Sequence, residues 1–156
     1  MRVGVTVVAA LVLAACGAST HRMSKHEYAL RAQWIEAHDE PPATGPFIDV
    51  TGHDLPKPLC VHETRQLHDA LQKLVDDARE LRPPPDLRAL HARFLANAQQ
   101  SVDAVAAAAD DVERGRLRCG FEMNKTIYGM PSTDRAEQAL EVLARRGVPL
   151  CITTCE

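Results

Sequence analysis

The side chains best suited to chemistry in this 156-residue chain are its five cysteines, Cys16, Cys60, Cys119, Cys151 and Cys155. The last two stand four apart in Cys151-Ile-Thr-Thr-Cys155, in a chain that also holds Met123, Met130 and seven histidines. Thiolates and thioethers are soft donors, so such a set would suit Cu(I). In an exported chain the same cysteines serve instead as structural staples, and that is the reading we favour. Thioredoxin-type redox chemistry does not fit, because it needs two residues between the thiols and a helix N-terminus in a βαβ unit to lower a thiol pKa. Setting Cys16 aside, Cys60, Cys119, Cys151 and Cys155 admit three disulfide connectivities.

Nitrogen and oxygen groups offer less. His62 and His68 are six residues apart, about 600° around a helix, and so do not form the i, i+4 pair of a zinc helix. His91 falls on an apolar stripe; in a hairpin centred on Pro84 it lies across from Asp77 and Ala78, and a buried imidazole hydrogen-bonded to Asp77 is expected. Asp76-Asp77 and Asp110-Asp111 are neighbours that diverge by about 100° on a helix and read as solvated faces. The chain has no GxSxG, P-loop, Rossmann or CxxCH signature, and no ExxH pair of the kind found on facing helices in di-iron bundles. Asn124-Lys125-Thr126 matches the N-glycosylation sequon, a short pattern that we read as accidental. We therefore expect no enzyme, no catalytic residue, no metal site and no cofactor.

The elements that would position these groups are helical. Ser24-Lys25-His26-Glu27 fits a capping box opening a helix over about 24–38, with Tyr28, Leu30, Trp34 and Ile35 on its apolar side. Pro41, Pro42, Gly45, Pro46, Gly52, Pro56 and Pro58 then predict a long irregular segment over 39–58, either a packed excursion or a functional surface. From Cys60, steps of three and four through Thr64, Leu67, Leu71, Leu74, Ala78 and Leu81 predict a helix over about 59–82. Pro83, Pro84 and Pro85 stop it, and a second stripe through Leu87, His91, Phe94, Ala98, Val102, Val105, Ala109, Val112 and Arg116 predicts a helix over 85–117. Together these two make a long antiparallel hairpin. Residues 120–131 read as irregular, and a last helix over 133–146 is capped by Ser132 or Thr133. It is stopped by Arg145, Arg146, a left-handed Gly147 and Pro149.

These lengths bear on the cysteines. Straight helices extending to 117 would leave Cys60 and Cys119 about 16 Å apart along the axis, beyond the roughly 7 Å between Cα atoms that a disulfide allows, unless the second helix ends early, near Gly115. A Cys151–Cys155 ring would be very small. The expectation is therefore that the tail cysteines pair with Cys60 and Cys119, in an order left open.

The first residues carry the chain's most specific signal. Arg2 precedes an unbroken apolar or small run from Val3 to Ala15, the length of a signal-peptide core and short of the roughly 20 residues that span a membrane. It ends in Leu13-Ala14-Ala15-Cys16-Gly17, which resembles the lipobox of bacterial lipoproteins. The resemblance implies removal of 1–15, acylation (palmitate-type) of Cys16, a tether over 16–23 and a single helical domain over 24–156. With Gly17 rather than Asp after the cysteine, it also implies the outer membrane where the organism has one. PPPDLRALHARFLANA similarly resembles a Pro-then-helix pattern of small secreted or lipid-anchored bacterial helical bundles. Loss of Arg2 leaves 17 basic and 21 acidic residues, a net charge of −4 with no basic block, which excludes nucleic acid as a partner. The expected fold is thus an all-α bundle of about four helices. Its expected role is structural or protein-binding at the cell envelope, held to the membrane through Cys16, with copper-type metal binding through Cys, His and Met as the alternative.

Overall fold

A computed structural model describes residues 22–148. They form five helices, α1 (Lys25–Gly52), α2 (Lys57–Glu80), α3 (Arg88–Glu113), α4 (Phe121–Tyr128) and α5 (Pro131–Arg145), and no strand. The all-α bundle built on an α2–α3 hairpin is as the periodicity predicts. α1 packs on α2, α2 on α3 and α3 on α5, while short α4 bridges α1 and α3. None of the described helices is long and apolar enough to cross a membrane. The expected signal segment and Cys16, and the tail with Cys151 and Cys155, lie outside the described residues.

Two ends of the chain follow sequence rules closely. At the start of α1, Ser24 Oγ accepts from the Glu27 N–H at 3.2 Å and Glu27 Oε2 accepts from the Ser24 N–H at 2.7 Å, the reciprocal capping box. At the end of α5, Gly147 adopts φ +83°. Its N–H donates to Ala144 O and that of Val148 to Leu143 O, a Schellman closure in which fully buried Val148 and Leu143 belong to one apolar cluster.

Four expectations are corrected. The first concerns 39–58: α1 continues through Pro41, Pro42 and Pro46 to Gly52. Each proline removes an N–H and crowds a carbonyl one turn back, but the buried face runs without a break through Tyr28, Ala32, Ile35, Asp39, Ala43 and Val50. Burial along this face against α2 and α4 outweighs the hydrogen bonds missing at the Ala37, His38 and Pro42 carbonyls. Leu30 and Trp34, by contrast, are about half exposed, Trp34 stacking on His38.

The second correction is the end of α3. The helix stops at Glu113, where Gly115 (φ +72°) closes a second Schellman motif: Gly115 N–H to Val112 O and Arg116 N–H to Asp111 O. Arg116 is therefore exposed, not part of the stripe, and its guanidinium pairs with Asp111. The chain doubles back, and Cys119 meets Cys60 in a disulfide with Cα atoms 5.8 Å apart. The pairing of Cys60 and Cys119 with the tail is overturned; the predicted offset vanishes because residues 114–119 return along the hairpin.

Third, residues 121–128 form a helix whose buried Met123 and Ile127 are one turn apart. Gly120 precedes it at φ +84°, donating to Val50 O at 2.7 Å, and a Cβ there would stand 3.2 Å from the His53 carbonyl oxygen. Only glycine lets α4 approach the end of α1 so closely. Fourth, α5 starts at Pro131, and neither Ser132 nor Thr133 caps it; Ser132 is buried and takes a hydrogen bond from Ser101 of α3 at 3.0 Å.

If α1 is helical through its prolines, Pro46→Ala restores a donor to the Pro42 carbonyl and relieves crowding, and the melting temperature should rise by several degrees. In an irregular loop the same change would free the unfolded chain and lower it. Thermal unfolding followed by circular dichroism distinguishes the two.

Candidate functional site

The apolar stripes of α2 and α3 are not buried throughout. Leu71, Leu74, Phe94 and Ala98, all expected in the core, are only half-buried. They line a cleft bordered by α1, α2, α3 and α5. One closed core lies on either side. The first, around the Cys60–Cys119 bridge, contains Val50, Leu67, Val105, Val112 and Met123; the second contains Tyr28, Leu81, Leu87, Leu143 and Val148.

The cleft has two parts. A cavity of about 220 Å³ runs beneath Tyr28, Ile35, Leu81, His91 and Leu143. A second of about 440 Å³ lies over Leu67, Leu71, Val102, Val105 and Ile127. They meet along Glu40, Leu74, Phe94 and Leu140, which border both.

His91 borders the inner cavity together with Glu36 and Glu40 of α1. It is 5% exposed, as the stripe predicts, but its Nδ1 lies 2.8 Å from the Tyr28 hydroxyl of α1, not against Asp77. The rings meet edge to face, centroids 5.7 Å apart. Asp77 instead accepts from Lys73 one helical turn away at 2.8 Å, and Lys73 also donates to Asp39, 3% exposed on α1, at 2.5 Å. The expected partner is therefore replaced. The lysine takes both carboxylates, which holds Asp77 below the usual carboxylate range and raises Lys73, and α1, expected to stop at His38, supplies a phenol from its first turns. Burial pushes Tyr28 up to about 12 and holds the His91 imidazolium below its ordinary value. The direction of the Tyr28–His91 hydrogen bond follows the imidazole tautomer, and Nε2 is buried with no hydrogen-bond partner among the described residues.

The remaining candidates are dispersed. Met123 and Met130 are core residues beside the disulfide, His62 is exposed, and His68 meets its neighbour Asp69 at 2.9 Å. Asp76 pairs with Arg79, and Asp110 with Arg114. Among the described residues no three His, Cys, Asp or Glu side chains converge on a point that could hold a metal ion. The Cys60–Cys119 bridge places two expected disulfide cysteines together, while Cys151 and Cys155 lie outside the described residues. The cleft itself had one sequence signal, a histidine on an apolar stripe, and no other. No protein family, no curated protein and no solved structure matches this chain.

Because the folded state disfavours protonated His91, the unfolded chain binds the extra proton as pH falls through about 6.5, and stability drops from there downward. Between about pH 7.5 and about pH 5.5 the wild type should lose more melting temperature than His91→Gln. Equal losses would show that His91 is not held neutral by burial.

Proposed function

We propose that this protein is a lipid-anchored component of a bacterial cell envelope, exported, acylated on Cys16, and serving there in a structural or protein-binding role. The observation that carries the reading is Leu13-Ala14-Ala15-Cys16 at the end of an apolar run of signal-peptide length. Two or three acyl chains on one cysteine make a stable attachment where a single chain is marginal. The helical body opens at the Ser24 capping box, a short tether away from Cys16, so it would sit close to the bilayer. The Cys60–Cys119 bridge suits an oxidising compartment outside the cytoplasm. For a protein partner, the surface of choice is α4: Phe121 and Tyr128, two turns apart on one face, are 83% and 58% exposed, and Tyr128 rests edge-on against Phe47 of α1. Aromatic side chains exposed together are the usual anchors of protein interfaces.

Cys16→Ser should abolish incorporation of labelled palmitate and leave the precursor uncleaved or the protein mislocalised. Continued labelling of that variant would refute acylation at Cys16. In the same cells, a photo-crosslinker replacing Phe121 should give a discrete adduct with one protein that the same crosslinker at an exposed polar position such as Arg135 does not; identical patterns would remove α4 as the contact surface.

A further inference from the structure

α1 has two uncharged faces, and among the described residues the bundle covers only one of them. Opposite the buried side, Leu30, Trp34, Ala37, Pro41, Thr44 and Ile48 follow one another in steps of four and three, the spacing of a single line along a helix, and all six are exposed. Leu30 at 52%, Trp34 at 47% and Ile48 at 52% are half of the large apolar side chains that stand exposed among the described residues, gathered on one line. Trp34 stacks on His38, one turn on in the same helix, with ring centroids 4.2 Å apart. The charged residues of this stretch, Arg31, Glu36, Asp39 and Glu40, lie about 80° or more around the axis from the line, at 100° per residue. The solvent side of a bundle helix ordinarily carries charge. This one carries none for about 27 Å, from Leu30 to Ile48.

The entry of the chain into α1 selects what covers that line. Leu30 is six residues beyond Ser24, about 9 Å along the helix, and Cys16 is eight residue steps before Ser24, at most about 29 Å of chain. On the lipid-anchored reading above, on which this inference rests, acyl chains at Cys16 hold a bilayer within reach of Leu30 and Trp34. None of the described helices is long and apolar enough to cross a membrane, so the fit is to the membrane surface, where tryptophan favours the headgroup level and an apolar helix face lies in the plane. A second copy of α1 fits less well. A helix seam needs knobs along its whole length, and Ala37, Pro41 and Thr44 in the middle of this line are small, whereas a fluid surface needs no knobs.

We propose that the outward face of α1 docks on the lipid surface to which Cys16 is anchored and lays the helix along the bilayer. Three large side chains do not hold a protein on a membrane unaided; the anchor supplies the affinity and the line supplies the orientation.

Trp34 is the chain's one tryptophan, so its fluorescence reads this face alone. The mature chain, residues 16–156 with an N-terminal histidine tag, is held on phosphatidylcholine vesicles through a nickel-chelating lipid. Attachment is then imposed, and the outcome is independent of acylation, which palmitate labelling tests separately. Relative to the protein free in solution, emission should move several nanometres to the blue, quenching by acrylamide should fall severalfold, and lipids brominated near the top of their acyl chains should quench Trp34. Leu30→Glu with Ile48→Glu, both at exposed positions, should remove most of the bromine quenching while the protein stays attached and keeps its melting temperature. Leu59→Glu, at an exposed apolar position of α2, should leave the quenching intact. Unchanged emission on the vesicle, or a double-glutamate variant quenched as strongly as the wild type, would overturn the proposal. So would a blue shift that rises with protein density and ignores brominated lipid, because the occupant would then be a second copy.

Discussion

The Cys60–Cys119 bridge is the constraint on which the other elements depend. It joins the first turn of α2 to the segment that returns from α3, closing a loop across 59 residues. A cross-link over a loop of that length removes enough freedom from the unfolded chain to stabilise the fold by about 4 kcal/mol on the entropic account. Its larger effect is positional. With Cys119 fixed beside the start of α2, Gly120 is delivered to the end of α1, where it donates to Val50 O, and α4 can run only across α1 and α3. Met123 and Ile127 then complete the core around the bridge. α5 leaves α4 after a single connecting turn and comes to rest on α3.

α1 and α5 share the second core, where Tyr28, Ala32 and Ile35 cluster with Leu143 and with Val148 just past the end of α5. Leu74 and Phe94, half-buried, line the cleft beside that core. Each is large enough to fill space within the interior, and burying a leucine or phenylalanine fully contributes about 1.5–3 kcal/mol relative to exposure. Leaving both half-buried beside the two cores gives the cleft its apolar wall.

The hairpin was legible because its apolar residues recur in steps of three and four over many turns, and helix ends with a capping box or a left-handed glycine were legible because those rules are local. What misled was also local. α1 was read as ending at His38 because three prolines follow, and because the residue that carries its buried face onward is Asp39, a carboxylate no hydropathy pattern would place inside. Lys73 of α2, 34 residues further along the chain, donates to it and makes that burial tolerable. The end of α3 stood between two readings: Val112 and Arg116 continue the spacing, while Gly115 offers the early stop at which the helix closes. A candidate partner for His91 could be inferred from register along the hairpin, but Tyr28 reaches it from α1, 63 residues back, and no local pattern gives that contact.

Disulfide mapping tests this account most directly. The mature protein, digested without reduction and analysed by mass spectrometry, should yield a peptide containing Cys60 joined to one containing Cys119, and that link should disappear on reduction. A link from either of these cysteines to Cys151 or Cys155 would contradict the account, since α3 would then have no reason to turn back at Gly115 and neither α4 nor the cleft beside α5 would lie where they are described.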